Sequence, residues 1–209
     1  MRAVILTKSY KDKGWCVVAF DLENYELVRL VTNGGGSIPK NALYGINELD
    51  EIRVRALGKC PDGPQTENVL VDVRSFERIC HCAFGMNTFL NLLPKLPLHE
   101  PRFMSDCYYR YNDVSRFHHS IEIIKIRDLH IYWETYSHNE KPKRRCRFCS
   151  ESGMNLRYRI TAPKYVELDG DVDISSAYAI ITIPAKPWIV NENETIYFKF
   201  VAAVYPIDV

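Results

Sequence analysis

Short strand-like segments, separated by turn-forming residues, constrain the fold of this chain more than any other feature of its sequence. Runs that alternate apolar and polar residues, or that are apolar throughout, predict strands when Gly, Pro, Asn or Asp bound them. Four such strands are predicted in the first third of the chain, at residues 4–6, 15–20, 26–32 and 51–57. Further strands are predicted after residue 120, at residues 121–126, 129–133, 145–149, 156–161, 178–183 and 195–204. The chain therefore carries two groups of short strands.

A different pattern separates the two groups. Between residue 75 and about residue 96, apolar residues recur near the spacing of a helix. These residues are Phe76, Ile79, Cys80, Phe84, Phe89, Leu92 and Leu93. Helical segments are too few for a βαβ sheet, so the pattern favours a mostly β fold with two small antiparallel barrels and a short helical connector. We expect the first barrel at residues 1–74, the helical and Pro-rich connector at 75–117, and the second barrel at 118–209.

The composition is that of an ordinary globular protein, with 46% hydrophobic and 25% charged residues. The formal net charge of +1 gives no overall attraction to polyanions, so nucleic-acid binding requires a local basic patch. No apolar segment approaches the ~20 residues that cross a bilayer, and the first residues lack the pattern of a signal peptide. We therefore expect a cytoplasmic protein with no membrane partner, whose seven cysteines are reduced.

Several of the strand segments carry a family resemblance. In the first half they are residues 14–19 (GWCVVA), 27–32 (LVRLVT), 49–52 (LDEI) and 65–68 (QTEN). In the second half they are residues 120–126 (SIEIIKI), 158–162 (YRITA) and 198–204 (FKFVAAV). Together these segments resemble the dual OB-containing domain family, whose members are small and largely uncharacterised. The resemblance implies two OB folds in one compact unit, and it supplies no catalytic residue and no cofactor.

A basic segment, KPKRRCRFCSESG at residues 141–153, is the strongest candidate for a binding site. Seven basic residues lie between Lys141 and Arg159, against one acidic residue, Glu151. Residues 145–149 and 156–160 are predicted to pair as a hairpin, with four arginines on one face and Tyr158 pointing into the barrel. OB folds bind single strands by combining a cationic groove with aromatic platforms.

The candidate phosphate-binding residues fall into two groups. On the predicted hairpin and its approach they are Arg144, Arg145, Arg147, Arg157 and Arg159. A second patch on the first barrel is predicted from Arg29, Arg53 and Arg55. The candidate aromatic platforms are Trp15, Tyr25, Tyr108, Tyr109, Tyr111, Tyr132 and Trp133.

Other chemistries were weighed against the same residues. Cys146 and Cys149 have the spacing of half a zinc site, and Cys80-His81-Cys82 offers further ligands. Residues three apart in a strand face opposite ways, so we interpret both cysteines as reduced strand residues and predict no metal. The acidic run LDGDVD does not begin a calcium loop, because positions six and twelve of that loop would be Ile174 and Ile180 instead of Gly and Glu. The segment NGGGSIPK lacks the spacing of a phosphate-binding loop. Cys107 with His118 or His119 could form a nucleophile with its base, but the sequence offers no identifiable Asp or Asn to orient the imidazole. We therefore interpret Cys107 as a buried thiol and the two histidines as surface residues.

These observations predict a non-catalytic nucleic-acid-binding module that prefers single-stranded DNA or RNA. The alternative is a protein-interaction adaptor within a larger complex, which requires neither net charge nor a catalytic set. A metal-dependent or small-molecule enzyme is the third hypothesis. We interpret the amide pair Gln65 and Asn68 as structural, tying a polar turn to its barrel by hydrogen bonds, with ligand contact as the alternative.

Overall fold

Antiparallel strands make up most of the described chain. The structure is a computed structural model and describes residues 1–82, 85–86, 90, 107–110, 119–135 and 141–207. The strands of the first half are β1 (Arg2–Lys11), β2 (Gly14–Asp21), β3 (Glu26–Val31), β4 (Ile38–Pro39), β5 (Asp50–Arg53), β6 (Ala56–Lys59), β7 (Asn68–Val71) and β8 (Glu77–His81). Those of the second half are β9 (Tyr108–Arg110), β10 (Ile121–Glu134), β11 (Lys143–Ser150), β12 (Asn155–Ile160), β13 (Val172–Thr182), β14 (Trp188–Asn191), β15 (Glu194–Phe198) and β16 (Phe200–Pro206). The described helical elements include one α-helical turn, α1 (Pro163–Val166), and two 3-10 turns, Asn33–Gly35 and Lys40–Leu43, and Met86 and Leu90 are helical as well.

The first half folds into one strongly curled sheet. Its strand order is β6-β7-β3-β2-β1-β5-β8, with β4 pairing β2. The chain continues from β5 through Val54 and Arg55 into β6, so residues 50–59 pair with β1 at one end and with β7 at the other. The sheet therefore closes on itself, and β3 and β7 run parallel within it. This is an OB-like arrangement, and the predicted strand at 51–57 is its broken closing strand.

The second half forms a closed five-stranded barrel of the same topology, in the order β10-β11-β12-β16-β13. Its parallel pair is β12 with β16, which corresponds to β3 with β7 in the first barrel. The predictions at 121–126 and 129–133 prove to be one strand, β10, which is interrupted in register near Asp128. Asp128 takes a positive φ of 52°, which accounts for the break in the apolar alternation. The predicted fold of two OB-like barrels is confirmed.

The predicted helical connector is wrong at its beginning. Phe76, Ile79 and Cys80 have helical spacing, but residues 77–81 form strand β8, which pairs with β5. All five residues of β8 are exposed, so the apolar spacing reflects no buried helix face. The other residues of that pattern, Phe84, Phe89, Leu92 and Leu93, lie outside the described residues. The domain boundaries at 74 and 118 stay a prediction.

A third sheet was not predicted from the sequence. Its strand order is β14-β15-β9. In the chain, β14 and β15 lie between β13 and β16, whereas β9 precedes β10. The predicted strand at 195–204 is split at Lys199 into β15 and β16, which join different sheets. The two strands continue one apolar run, and only the pairing partners distinguish them.

The two barrels share a hydrophobic interface in addition to their own cores. On β1, Ala3 and Ile5 point into the first barrel, whereas Val4 and Leu6 pack against the second barrel at Ile121 and related residues. All four β1 residues are almost fully buried. A strand covered on both faces reads as continuously apolar rather than alternating, which is the pattern at 3–6.

A buried ion pair also joins the barrels. The Arg29 guanidinium lies 3.4 Å from the Glu67 carboxylate, and both side chains are almost fully buried. Arg29 Nη2 donates to Ser120 Oγ at 2.7 Å, and the Ser120 backbone N–H donates to Glu67 Oε2 at 3.0 Å. Gln65 Nε2 donates to the Ile183 carbonyl at 2.9 Å, and Asn68 Nδ2 donates to Gln65 Oε1 at 3.3 Å. The amide pair therefore has a structural role, but it ties the polar turn to the second barrel and not only to its own.

Replacing Glu67 with Ala is expected to lower the free energy of unfolding by about 3–5 kcal/mol, because Arg29 then remains buried without its counter-charge. Urea denaturation followed by circular dichroism measures this loss. The matched control is Glu77→Ala, which removes an exposed carboxylate 2.9 Å from Arg53. That change is expected to cost less than about 1 kcal/mol. Equal losses for the two variants would contradict a structural role for the Arg29–Glu67 pair.

Candidate nucleic-acid interface

The predicted basic hairpin is present as β11 and β12. Arg145 lies directly opposite Arg159, and Arg147 lies opposite Arg157. Residues opposite each other in an antiparallel pair share a face, so the four arginines form one outward surface, here called the hairpin face. The intervening side chains, Cys146, Phe148, Leu156, Tyr158 and Ile160, point inward and are buried in the barrel core. The turn between the two strands contains Gly153, whose φ of 84° is one that glycine adopts without steric cost.

One carboxylate partly balances the four guanidinium groups of the hairpin face. Glu134, at the end of β10, ion-pairs with Arg157 and lies 3.3 Å from Arg145 Nε. Burial, with the nearby Arg145 charge, lowers the pKa of Arg159. Among the residues that the structure describes, Arg147 and Arg159 have no carboxylate within ion-pair distance. Both therefore present cationic charge that an anionic ligand can neutralise.

Two aromatic rings adjoin the hairpin face on β10. Tyr132 lies opposite Arg145, and His130 lies opposite Arg147. The two rings stack on each other with centroids 5.4 Å apart and an interplanar angle of 19°. His130 Nδ1 contacts Asp173 at 2.7 Å, which fixes the orientation of the imidazole. A cleft of about 760 Å³ runs beside this group and is lined by His130, Arg147 and Asp173 among others.

Arg144, a predicted phosphate-binding residue, lies outside the hairpin face and is buried. It alternates with Arg145 and points inward, where only 2% of its surface is exposed. Its Nε donates to the Tyr165 carbonyl at 3.0 Å, and its guanidinium lies 5.1 Å from the Trp133 ring. Burial lowers the pKa of Arg144, and the Asp171 carboxylate partly opposes that shift. Arg144 therefore holds the α1 turn against the barrel and does not reach a ligand.

The predicted second patch on the first barrel loses Arg29, while its other two arginines are exposed. Arg29 is buried between the barrels and paired with Glu67. Arg53 and Arg55 are exposed, but each is paired with a carboxylate, Arg53 with Glu77 at 2.9 Å and Arg55 with Asp72 at 2.5 Å. These carboxylates neutralise the two exposed charges locally.

The predicted aromatic platforms lie in different environments. Tyr132 adjoins the hairpin face, whereas Tyr109 is buried in the second core. Trp133 donates from Nε1 to the Leu168 carbonyl and covers Arg144. Trp15 stacks on Tyr10 in the first barrel. Tyr25 is exposed, Tyr108 is half-buried on β9, and Tyr111 lies outside the described residues.

The candidate metal ligands do not converge among the residues that the structure describes. Cys146 is buried in the core, whereas Cys149 lines the cleft beside the hairpin face. Asp171 and Asp173 contact His130 instead of forming a calcium loop. No group of three or more His, Cys, Asp or Glu side chains in the described part of the chain is arranged to hold a metal ion. Cys107 was considered as a nucleophile with His118 or His119 as its base, and His118 lies outside the described residues.

Comparison with known proteins agrees with the two-barrel architecture. A family model for the dual OB-containing domain matches residues 1–204. The chain belongs to this family. No curated protein and no solved structure gives a significant match. Within the described residues, no helix has the length and apolar character needed to span a membrane.

The hairpin face occupies the usual ligand-binding position of an OB fold. OB folds hold oligonucleotides and oligosaccharides on the face of their second and third strands and on the adjoining loops. In the second barrel of this dual OB-containing domain protein, those strands are β11 and β12. Sequence reasoning identified the four arginines and Tyr132 but missed His130 and Glu134. The alternation of residues 130, 132 and 134 with buried Leu129 and Ile131 is the signal that places them on the same surface.

Glu134→Gln is expected to destabilise the protein by about 1 kcal/mol at low salt, because Arg145 and Arg157 lose their shared counter-charge. Urea denaturation measures the difference from the wild type, which is expected to shrink at about 1 M salt as charges are screened. The control is Glu151→Gln, an exposed carboxylate in the hairpin turn, 4.0 Å from Lys125. An equal effect of the control would rule out a specific role for Glu134.

The buried Cys146 thiol makes the free energy of unfolding depend on pH in the alkaline range. Complete burial raises its pKa to about 12 from an ordinary value of 9.0. Above pH 9 the thiol ionises in the unfolded chain but stays protonated in the folded one, so its contribution is intact below pH 9 and is lost between pH 9 and 12. The expected loss is up to about 1.4 kcal/mol per pH unit. Urea denaturation of wild type and Cys146→Ala from pH 8 upward is expected to show the steeper decline in the wild type. Parallel curves would contradict the assignment.

Proposed function

We propose that this protein is a non-catalytic module that binds single-stranded DNA or RNA on the hairpin face of its second barrel. The observation that carries the proposal is the combination of four outward arginines with the adjacent Tyr132–His130 stack. Guanidinium groups contact phosphates, and aromatic faces stack on bases without a requirement for sequence. The strands that bear these groups are those that OB folds use for oligonucleotides.

The distribution of charge supports a local interface. The chain has almost no net charge, so long-range attraction to polyanions is weak. Arg147 and Arg159 nevertheless project from neighbouring strands of one surface without a described carboxylate partner. Affinity on such a surface comes from counterion release at a few phosphates, which makes it strongly dependent on salt.

Fluorescence anisotropy with labelled single-stranded DNA and RNA, between about 50 and about 200 mM salt, tests the proposal. The double variant Arg147→Ala/Arg159→Ala is expected to bind about tenfold more weakly at low salt. The slope of its plot of log affinity against log salt concentration is expected to be smaller in magnitude by about 1.4, the value for two single-strand phosphate contacts. Glu134→Gln is expected to bind more tightly than the wild type, because a competing carboxylate is removed.

The matched control is Arg53→Ala/Arg55→Ala, which removes the same charge from the first barrel. Because carboxylates already neutralise these arginines, this variant is expected to bind like the wild type. Equal losses in the two double variants would show non-specific attraction only. A wild-type protein that binds neither DNA nor RNA at low salt would overturn the proposal.

A protein-interaction adaptor is the second candidate, and strand β14 favours it. Trp188, Ile189 and Val190 are consecutive on β14 and are 62%, 71% and 47% exposed. β14 pairs only with β15 among the described strands. Consecutive exposed apolar residues on an edge strand are typical of an interaction surface. An adaptor that uses β14 is expected to show no salt-dependent binding to oligonucleotides, so the same titration separates the two candidates.

A further inference from the structure

A narrow cavity lies between the two barrels, next to the hairpin face. Its volume is about 200 Å³, and it is here called the seam cleft. The first barrel contributes Tyr10, Lys11 and Arg29 to its lining, and the second barrel contributes Arg159 and Thr182. The cleft therefore lies where the two barrels meet, and the Arg29–Glu67 ion pair and the apolar interface hold the barrels together there.

The seam cleft has a cationic lining. Lys11, Arg29 and Arg159 carry positive charge, and no described residue of the lining is acidic. The buried Glu67 carboxylate, which is not part of the lining, balances the charge of Arg29, so the net charge of the lining comes from Lys11 and Arg159. Lys11 Nζ donates to the Gly35 carbonyl at 2.8 Å, which holds the ammonium in place and leaves further N–H groups to donate. The lining suits an anionic group such as a phosphate.

Arg159 connects the seam cleft to the hairpin face. It lies opposite Arg145 on the outward surface and also lines the cleft. Its position at the end of β12 is fixed by pairing with Phe200 of β16. A ligand bound to Arg147 and Arg159 on the hairpin face therefore lies at the entrance of the seam cleft, and the surface between the two is cationic.

Beyond the cleft, the first barrel presents a stacked aromatic pair. Tyr10 of β1 lies opposite Trp15 of β2, and their rings stack with centroids 5.2 Å apart. The exposed Lys40 lies 5.0 Å from the Tyr10 ring centroid and 5.1 Å from that of Trp15. The Tyr10 backbone N–H donates to the Thr161 carbonyl at 3.1 Å, which joins this edge of the first barrel to the second. A ring pair with a lysine beside it supplies the two kinds of contact that proteins use on single strands, stacking on bases and attraction to phosphates.

We propose that the single strand bound on the hairpin face continues through the seam cleft onto the first barrel. A phosphate lies between Arg159 and Lys11, and a neighbouring base contacts the Tyr10–Trp15 pair beside Lys40. The inference rests on the proposed function and extends it, since the interface becomes a composite of both barrels. A strand too short to cross the seam cleft contacts the second barrel alone.

Oligothymidylates of about 6 and about 16 nucleotides test the composite interface, because single OB folds cover between about 4 and 16 nucleotides. Wild-type protein is expected to bind the longer oligomer at least about tenfold more tightly. The variant Lys11→Glu/Lys40→Glu is expected to bind the short oligomer like the wild type and to lose the advantage of the long one. The control Lys59→Glu/Arg74→Glu makes the same change in charge on the first barrel and is expected to keep that advantage.

The native cysteines provide a second measurement on the unaltered protein. Cys149 lies beside the hairpin face, Cys16 lines the seam cleft, and Cys80 is exposed on β8. Alkylation followed by peptide mass spectrometry is expected to show that both oligomers protect Cys149 and only the long one protects Cys16. Neither oligomer is expected to protect Cys80.

The outcomes separate the two proposals. If both oligomers bind and protect Cys149, but the long one leaves Cys16 reactive and is insensitive to Lys11→Glu/Lys40→Glu, the composite interface is wrong and the hairpin face remains. If neither oligomer binds the wild type, the proposed function fails and the composite interface fails with it.

Discussion

The buried contact of Arg29 with Glu67 and Ser120 is the interaction on which the arrangement of the two barrels depends. Arg29 comes from β3, Glu67 precedes β7, and Ser120 precedes β10, so one contact joins three separate parts of the chain. A buried ion pair is costly unless its remaining donors and acceptors are satisfied. Here Ser120 donates to Glu67 and accepts from Arg29, which satisfies both partners. The relative position of the barrels, and the seam cleft between them, follow from this contact.

The apolar interface complements that polar contact. Strand β1 supplies Ala3 and Ile5 to one core and Val4 and Leu6 to the interface with the second barrel. β2 does the same with Val17 and Ala19 on one side, and with Val18 and Phe20 on the other. Because both strands are covered on two faces, separating the barrels would expose a continuous apolar surface to water. The two OB-like barrels therefore form one unit.

Alternation along β11 assigns different roles to residues of the same type. Arg144 points inward and binds backbone carbonyls near α1, whereas Arg145 and Arg147 point outward. The same rule separates Cys146, in the core, from Cys149, beside the cleft. A basic run of this kind is thus divided by strand geometry into a structural half and a surface half. The surface half adjoins Tyr132 on β10, which is why the candidate interface spans three strands.

Most strands were predictable because a two-residue period with turn residues at both ends is a local signal. The prediction at 76–80 was wrong because apolar residues at helical spacing also occur by chance in a short exposed strand such as β8. The run at 195–204 was predicted as one strand, and its division at Lys199 depends on partners distant in the chain. The aromatic candidates on the barrels were also ambiguous, since Tyr109 and Tyr132 look alike in sequence and only burial separates them.

The sequence alone determined the fold class, the hairpin and the shared face of Arg145, Arg147, Arg157 and Arg159. Each of these follows from local alternation and from turn residues. Tertiary structure decided which arginines reach the surface, because Arg29 is removed from it by the second barrel and Arg144 by the α1 turn. It also decided that Lys11 and Arg159 line the same seam cleft. These two residues are 148 positions apart in the chain, and no local pattern in the sequence indicates that they line one cavity.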